Sequence, residues 1–338
     1  MLALLGLFGA LAAGLAADGM LFARHEEDSA EDGSAEDGAT RDDGSETGID
    51  MLDLVVVEPG VPTSDDLPDA ADDPLAVDGT SGADALAGGT GNDDIQAFCG
   101  DDLIDGRAGD DRIDAGQGDD AVWAGDGADT ILGDDGNDSI QGQAGDDTLL
   151  GQAGSDSLAG CEGNDGVEGG LGRDTLIGGE GDDWLDGGDD DDWLAGGAGA
   201  DALDGGRGSD ILDGGSGDDR ISGVETGAGL QDADYINGGA GGDRLILGAG
   251  DIASGGKGAD EFVLAEWLPE TSITRITDYD PAEDTLVIVY DPEVHTDPIV
   301  TVGPDEGGQG QAVYVDGTRI AVVSGASFGV PDIRLAAS

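Results

Sequence analysis

Aspartate recurs at every ninth residue through the middle of this 338-residue chain. From Gly79 to Ser222 the sequence divides into sixteen consecutive nonapeptides without insertion or deletion. The sixth position is always Asp, the eighth is always Leu, Ile or Val, and the fourth is Gly in fifteen repeats, with Asp190 as the exception. The sixth-position residues are Asp84, Asp93, Asp102, Asp111, Asp120, Asp129, Asp138, Asp147, Asp156, Asp165, Asp174, Asp183, Asp192, Asp201, Asp210 and Asp219.

The chemistry available to such a repeat is oxygen coordination of a hard cation. Glycine, which is frequent at positions one, two and four, lets the backbone take positive φ angles, so a tight turn can aim several carbonyl oxygens at one point. The sixth-position Asp adds a carboxylate. Oxygen ligands without nitrogen or sulfur suit calcium, which takes about 6–8 of them. The pattern therefore predicts repeated calcium sites.

The elements that position these carboxylates follow from the single invariant apolar residue per repeat. One apolar residue in nine does not give the buried face of a helix, which needs spacings of three and four. It predicts a short strand at positions seven to nine, with position eight pointing inward and the first six residues forming a turn. Two nonapeptides then make one coil of about 18 residues, with a turn on each edge.

Each ion is expected between a turn and the next turn but one, on the same edge of the coil. Asp84 and Asp102 would flank one ion, and Asp93 and Asp111 would flank an ion on the opposite edge. Eight turns per edge leave seven gaps, which predicts roughly 14 ions or more.

The register changes after the regular block. Gly223–Ala228 is interpreted as a six-residue insertion. Less perfect repeats follow at Gly229–Asn237, Gly238–Ile246, the eight-residue unit Leu247–Ser254, and Gly255–Val263. Further metal ligands are predicted at the sixth positions of the nine-residue units, which are Asp234, Asp243 and Asp260.

The pattern G-G-x-G-x-D-x-U-x resembles the RTX, or hemolysin-type, calcium-binding repeat. The best matches are Gly178-Gly179-Glu180-Gly181-Asp182-Asp183-Trp184-Leu185-Asp186 and Gly205-Gly206-Arg207-Gly208-Ser209-Asp210-Ile211-Leu212-Asp213. The resemblance implies a right-handed parallel β-roll that binds calcium between same-edge turns. It also implies export through a type I secretion system that reads an uncleaved C-terminal signal.

Composition narrows the function classes. The chain carries 77 acidic and 12 basic residues, for a formal charge of −65, so nucleic acid is excluded as a partner because its phosphates would be repelled. Two cysteines are too few for a disulfide framework, and two histidines are too few for the usual zinc or histidine-based catalytic sites. No H-E-x-x-H motif is present. We therefore expect no enzymatic activity.

The fold class expected is all-β, in four segments. Residues 1–24 form a hydrophobic N-terminal segment, for which a secretory signal, a membrane anchor and a leader without a membrane role stay open. Residues 25–77 are an acidic linker expected to be disordered. Residues 78–263 are the calcium-binding β-roll. Residues 264–338 are a small β-rich cap that contains a candidate secretion-signal region.

The strands predicted in the C-terminal segment are Ile273–Ile276, Thr285–Tyr290, Ile299–Val302, Ala312–Val315 and Arg319–Val323. Asp316-Gly317 predicts a hairpin turn between the last two. Aromatic residues expected to be buried within the cap are Phe262, Trp267, Tyr279, Tyr290, Tyr314 and Phe328.

The function expected is extracellular calcium binding by repeats that fold when calcium binds, in a secreted, non-catalytic surface or matrix protein. The alternative is an export and folding module that carries a polysaccharide-binding or adhesin activity. The partners that these readings imply are calcium ions, type I secretion machinery, and an extracellular polysaccharide or cell surface. The sequence does not indicate an oligomeric state.

Overall fold

The computed structural model of the chain describes residues 73–224, 232–264, 273–308 and 310–338. The hydrophobic segment 1–24, most of the acidic linker, residues 225–228 of the insertion and Trp267 lie outside the described residues. The described residues contain no α-helix, and their one 3-10 helix is Val330–Asp332. No helix within them meets the length and hydropathy needed to cross a bilayer.

The described strands form two sheets of 13 and 14 strands, between which the chain alternates. Sheet A consists of β1 (Ala76–Asp78), β3 (Asp94–Gln96), β5 (Arg112–Gln117), β7 (Thr130–Asp135), β9 (Thr148–Ala153), β11 (Gly166–Leu171), β13 (Trp184–Asp189), β15 (Ala202–Arg207), β17 (Arg220–Ser222), β19 (Arg244–Leu247), β21 (Glu261–Leu264), β23 (Thr285–Tyr290) and β27 (Ile333–Ala337). Sheet B consists of β2 (Ala85–Ala87), β4 (Leu103–Ala108), β6 (Ala121–Asp126), β8 (Ser139–Ala144), β10 (Ser157–Glu162), β12 (Thr175–Glu180), β14 (Trp193–Ala198), β16 (Ile211–Ser216), β18 (Tyr235–Ala240), β20 (Ile252–Lys257), β22 (Thr274–Tyr279), β26 (Thr318–Gly325), β25 (Gln311–Val315) and β24 (Val300–Pro304).

Neighbouring strands of the repeat region are parallel and one coil apart. Thr130 of β7 pairs with Thr148 of β9, 18 residues later, and the same offset relates the other strands of the regular block. The prediction of an all-β parallel roll with two nonapeptides per coil is confirmed.

The strands are longer than predicted, which corrects the expected extent of the turns. Strand β9 covers positions seven to nine of one repeat and positions one to three of the next, so only positions four to six form the turn. Its buried residues are Leu149 at position eight and Gly151 at position one. Position one therefore also faces inward, which explains why the residues that replace glycine there, Ala97, Ala115 and Ala124, are fully buried.

Positive φ angles occur at the second and fourth positions, where the chain bends. The non-glycine residues that the sequence places at position two adopt them as well, for example Phe98 at 76° and Cys161 at 89°. At position four Gly145 has a φ of 135°, whereas Asp190 has a φ of 83°, within the left-handed region that Asp tolerates better than most residues. The turn at Asp190 is therefore retained with a different backbone conformation.

The stack of strands continues through both irregular repeats, although β17 and β19 there are shortened to three and four residues. Tyr235 pairs with Ile211 across 24 residues, which corresponds to one coil plus the six-residue insertion. Ile252 pairs with Tyr235 across 17 residues, which corresponds to one coil with the eight-residue unit. Insertion and deletion alter the connections and leave the stack continuous.

The C-terminal strands extend the same two sheets. Strands β22 and β23 continue the parallel stacking, and β24–β26 form an antiparallel meander on sheet B. The predicted hairpin is confirmed: Asp316 and Gly317 have φ angles of 50° and 83° between β25 and β26. Thr285–Tyr290 was predicted with its observed bounds, whereas β27, which ends sheet A, was not predicted.

Aromatic side chains close the end of the core. Tyr279 is fully buried and makes edge-to-face contacts with Phe262 and Phe328, with ring centroids 6.1 and 5.3 Å apart. Tyr290 and Tyr314 are only partly buried. Edge-to-face contacts contribute stabilising free energy beyond that of the buried ring area. This cluster therefore stabilises the last coils without a metal.

Candidate metal centre

The sixth-position aspartates lie in two columns, one along each edge of the roll. Column 1 contains Asp84, Asp102, Asp120, Asp138, Asp156, Asp174, Asp192, Asp210, Asp234 and Asp251; column 2 contains Asp93, Asp111, Asp129, Asp147, Asp165, Asp183, Asp201, Asp219, Asp243, Asp260 and Asp284. Within each column the backbone N–H of one Asp donates to Oδ1 of the next at 2.7–3.2 Å. The structure thus brings together all nineteen predicted ligands.

The second carboxylate oxygen of most column residues has no hydrogen-bond partner. Among the described residues, fourteen buried Oδ2 atoms are unpaired, in Asp102, Asp111, Asp120, Asp129, Asp138, Asp147, Asp156, Asp165, Asp174, Asp183, Asp192, Asp201, Asp219 and Asp243. A buried polar atom without a partner costs about 1–3 kcal/mol, and more when it is charged. A cation is the partner that removes this cost.

A glycine at position one keeps open a space beside eleven of the fourteen unpaired oxygens. The repeats of Asp102, Asp120 and Asp129 instead carry Ala97, Ala115 and Ala124 at position one. A Cβ added to Gly133 would lie 2.5 Å from Oδ2 of Asp138 and 2.9 Å from the carbonyl oxygen of Gly151 in the next coil. The same arrangement recurs at Gly169, where the distances are 2.5 Å to Oδ2 of Asp174 and 2.7 Å to a carbonyl oxygen. A carboxylate oxygen and a carbonyl oxygen from successive same-edge turns therefore face one space, which we call a cradle. This pair of oxygen donors fits calcium.

Burial makes the columns unfavourable for negative charge when no cation is bound. It raises the pKa of Asp138 and of Asp147 to about 7, and that of Asp192 to about 8. The hydrogen bond from the preceding backbone N–H lowers each pKa, and neighbouring carboxylates in the column raise it further. A divalent ion in the cradle would reverse this balance, since an opposite charge favours the ionised form.

Side chains alone do not complete a site. Across the described residues no three His, Cys, Asp or Glu side chains converge on one point. Backbone carbonyls must supply the other ligands, which is the role that the sequence assigned to the glycine-rich turn.

Sequence reasoning missed two members of the columns. Asp251 is fully buried and accepts a hydrogen bond from the backbone N–H of Asp234, although it lies in the eight-residue unit. Asp284, beyond the repeats, accepts one from the N–H of Asp260 at 3.1 Å. The signal was present in Asp284-Thr285-Leu286, which keeps the D-x-U spacing.

The columns end differently from their interiors. At the N-terminal end Oδ2 of Asp84 accepts hydrogen bonds from the backbone N–H and hydroxyl of Thr80. After Asp251, column 1 continues with Thr274, whose hydroxyl donates to the carbonyl of Gly248 at 2.6 Å. Column 1 therefore ends at a threonine, whose hydroxyl donates to a backbone carbonyl, and no carboxylate follows Asp251 in this column.

A second ladder, formed by position five, was also missed. Its short polar side chains accept hydrogen bonds from the backbone N–H one coil later, for example Asp119 from Asn137 at 2.8 Å and Asn137 from Ser155 at 2.9 Å. Position-six carboxylates accept from the preceding coil, so adjacent residues bond in opposite directions. Twelve of the sixteen repeats carry Asp, Asn or Ser at position five, a bias visible in the sequence.

The two cysteines do not form a disulfide. Both Cys99 and Cys161 are free thiols, and they lie on sheets A and B respectively. Cys99 belongs to the third repeat and Cys161 to the tenth, and this odd separation of seven repeats places them on opposite sides of a coil of two repeats.

Comparison with known families gives the same assignment as the geometry. The model of the RTX calcium-binding nonapeptide repeat matches residues 78–111, 100–131, 123–158, 132–167, 160–194, 168–203, 195–224 and 222–251. No curated protein matches the chain. The matched ranges together cover about half of the chain and most of the two carboxylate columns, of which column 2 continues to Asp260 and Asp284. The chain belongs to the family of RTX calcium-binding nonapeptide repeat proteins.

Proposed function

We propose that this protein is an extracellular, non-catalytic surface or matrix component whose roll folds when calcium enters the cradles of columns 1 and 2. The observation that carries the proposal is the set of fourteen buried, unpaired Oδ2 atoms, eleven of which lie beside a glycine cradle. All nineteen predicted aspartates act as ligands in this proposal, with roughly 14 ions or more bound.

Bound calcium compensates the negative charge of the buried carboxylates. The position-six carboxylates and position-one carbonyls hold it, while the Oδ1 hydrogen bonds fix the distance between coils. Without it, carboxylate repulsion and the entropy of a chain with 66 glycines oppose the single aliphatic layer of the core. Binding free energy then becomes folding free energy.

An extracellular location is supported by the calcium concentration that such folding requires. Extracellular modules bind calcium with dissociation constants of about 10⁻⁴–10⁻³ M, well above cytosolic levels. The chain would thus stay unfolded during export, by a type I secretion route in our proposal, and fold outside. Residues 264–338 serve as the cap, a role supported by their strands on both sheets and by the cluster around Tyr279.

Circular dichroism of the whole chain in EGTA and in millimolar calcium tests this proposal. We expect a cooperative gain of β signal with calcium. Equal β content in both conditions would contradict it, and magnesium at the same concentration serves as the control cation.

A further inference from the structure

Sheet A carries a groove of about 640 Å³ on its outer face, away from both calcium columns. Its floor is formed by three stacked position-two glycines, Gly170, Gly188 and Gly206, which pair in register. Because they have no side chains, the floor is backbone alone. The groove crosses strands β11, β13 and β15, so it runs parallel to the roll axis, and Gln152 precedes the glycine row.

The walls present both hydrogen-bond acceptors and a donor. On one side Glu168, Asp186 and Asp204 form a ladder of carboxylates in register. On the other side the guanidinium of Arg207 is paired with Asp189 at 2.8 Å. Burial, followed by the charge of neighbouring carboxylates, raises the pKa of Asp186. The carboxylate side of the groove therefore favours a ligand that donates hydrogen bonds to it and carries no negative charge of its own.

An aromatic platform lies beside the carboxylate wall. Trp184 precedes Asp186 by two residues on the same strand face and is 47 % exposed, high for an indole. Its neighbours in register are Gly166 and Ala202, and its ring approaches Gly166, where an added Cβ would lie 4.0 Å from Cε3. The small neighbours leave the indole open on the sheet surface. Trp193 of sheet B instead lies between Thr175 and Ile211 and is only partly exposed.

We propose that this groove, with Trp184 beside it, binds a neutral glycan chain. Sugar hydroxyls both donate and accept hydrogen bonds, so they match carboxylates on one wall and Arg207 on the other. The apolar face of a pyranose ring can pack on the indole, as apolar groups do on partly exposed aromatic side chains. The volume lies within the range of ligand sites, about 300–1,000 Å³. An anionic glycan is disfavoured by the carboxylate wall and by the net negative charge that remains on the chain after about 14 calcium ions bind.

The inference rests on the proposed function, because the groove exists only in the folded roll and its ligand would be an extracellular polysaccharide. The test is isothermal titration calorimetry of the calcium-loaded whole chain with cellohexaose, laminarihexaose, maltohexaose, mannohexaose and, as the acidic probe, hexagalacturonate. We expect saturable binding of at least one neutral hexasaccharide and none of the acidic one. Trp184→Ala and Asp186→Asn should each weaken binding about tenfold or more, whereas Trp193→Ala, the matched change on the other sheet, should alter it less than about twofold.

Absence of binding by every neutral hexasaccharide would overturn the inference. So would equal losses in Trp184→Ala and Trp193→Ala, or tighter binding of the acidic probe. Circular dichroism of the same samples reports calcium-dependent folding independently of sugar. Failure of the groove is thereby distinguished from failure of the proposed calcium-dependent fold.

Discussion

Asp138 and Asp156 are successive members of column 1, and their carboxylate oxygens have separate roles. The backbone N–H of Asp138 donates to Oδ1 of Asp156 at 2.8 Å, whereas Oδ2 of Asp156 has no hydrogen-bond partner. One oxygen therefore fixes the register between coils, and the other is left for a cation. This division repeats along both edges, so folding and calcium binding depend on the same side chains.

Loss of a carboxylate in mid-column should cost more than loss at an end. Asp147 is linked to coils on both sides, whereas Asp84 begins column 1 and its Oδ2 is already hydrogen bonded to Thr80. Asp147→Ala should raise the calcium midpoint of folding about fivefold, and Asp84→Ala less than about twofold, because coupling in a stack passes through nearest neighbours. Calcium titrations followed by circular dichroism measure both, and equal shifts would refute the stacking scheme.

Protonation of the column carboxylates should substitute in part for calcium in stabilising the folded roll. Burial raises the folded-state pKa of Asp111 to about 6, of Asp138 and Asp147 to about 7, and of Asp192 to about 8, above the usual value for Asp of about 3.9. The folded state therefore binds more protons than the unfolded state, so this contribution to stability is complete below about pH 4 and is lost as the pH rises through about 6–8. In EGTA, β structure should appear on acidification from pH 8 to pH 5. A circular dichroism spectrum that stays that of an unfolded chain from pH 8 to pH 5 would contradict this prediction.

The position-five ladder should contribute to stability without binding metal. Oδ1 of Asn137 accepts the backbone N–H of Ser155, so Asn137→Ala should lower the free energy of unfolding by about 1 kcal/mol. Ala128 has no acceptor to offer the next coil, and Ala128→Asn should raise stability by a similar amount. Urea titrations at fixed, saturating calcium measure both changes. Opposite signs are required, since a general effect of surface substitution would not produce them.

The C-terminal strands should lower the calcium requirement of the roll. A fragment of residues 78–263 lacks the strands that cover the last coil, so it should need more calcium to fold than residues 78–338 and should aggregate more readily. In the whole chain, Tyr279→Ala would open a cavity between Phe262 and Phe328 and should destabilise by about 3–5 kcal/mol. Tryptophan fluorescence during calcium titration measures the folding midpoint of each fragment. Equal midpoints would show that residues 264–338 do not act as a cap.

Much of the fold follows from the sequence because its period is short and strict. Nine residues with one Asp and one aliphatic residue predict the coil, the two edges and the position of Asp84 next to Asp102 on one edge, where the backbone N–H of Asp84 donates to Oδ1 of Asp102 at 2.7 Å. The division between sheets also follows, since Cys99 and Cys161 lie on the sides that repeat parity assigns. These features are local, or repeat with the period, so the chain alone determines them.

Only the tertiary structure decides what depends on contacts between coils. Asp251 and Asp284 join the columns across 17 and 24 residues because hydrogen bonds follow spatial register, which sequence spacing does not report in the eight-residue unit or beyond the repeats. The inward direction of position one, and hence the cradle at Gly133, depends on strand pleating that continues past the repeat boundary. The groove arises because residues of three neighbouring strands of sheet A, β11, β13 and β15, stack on one face. The sequence determined which residues recur, and packing between coils determined which oxygens are left without a partner.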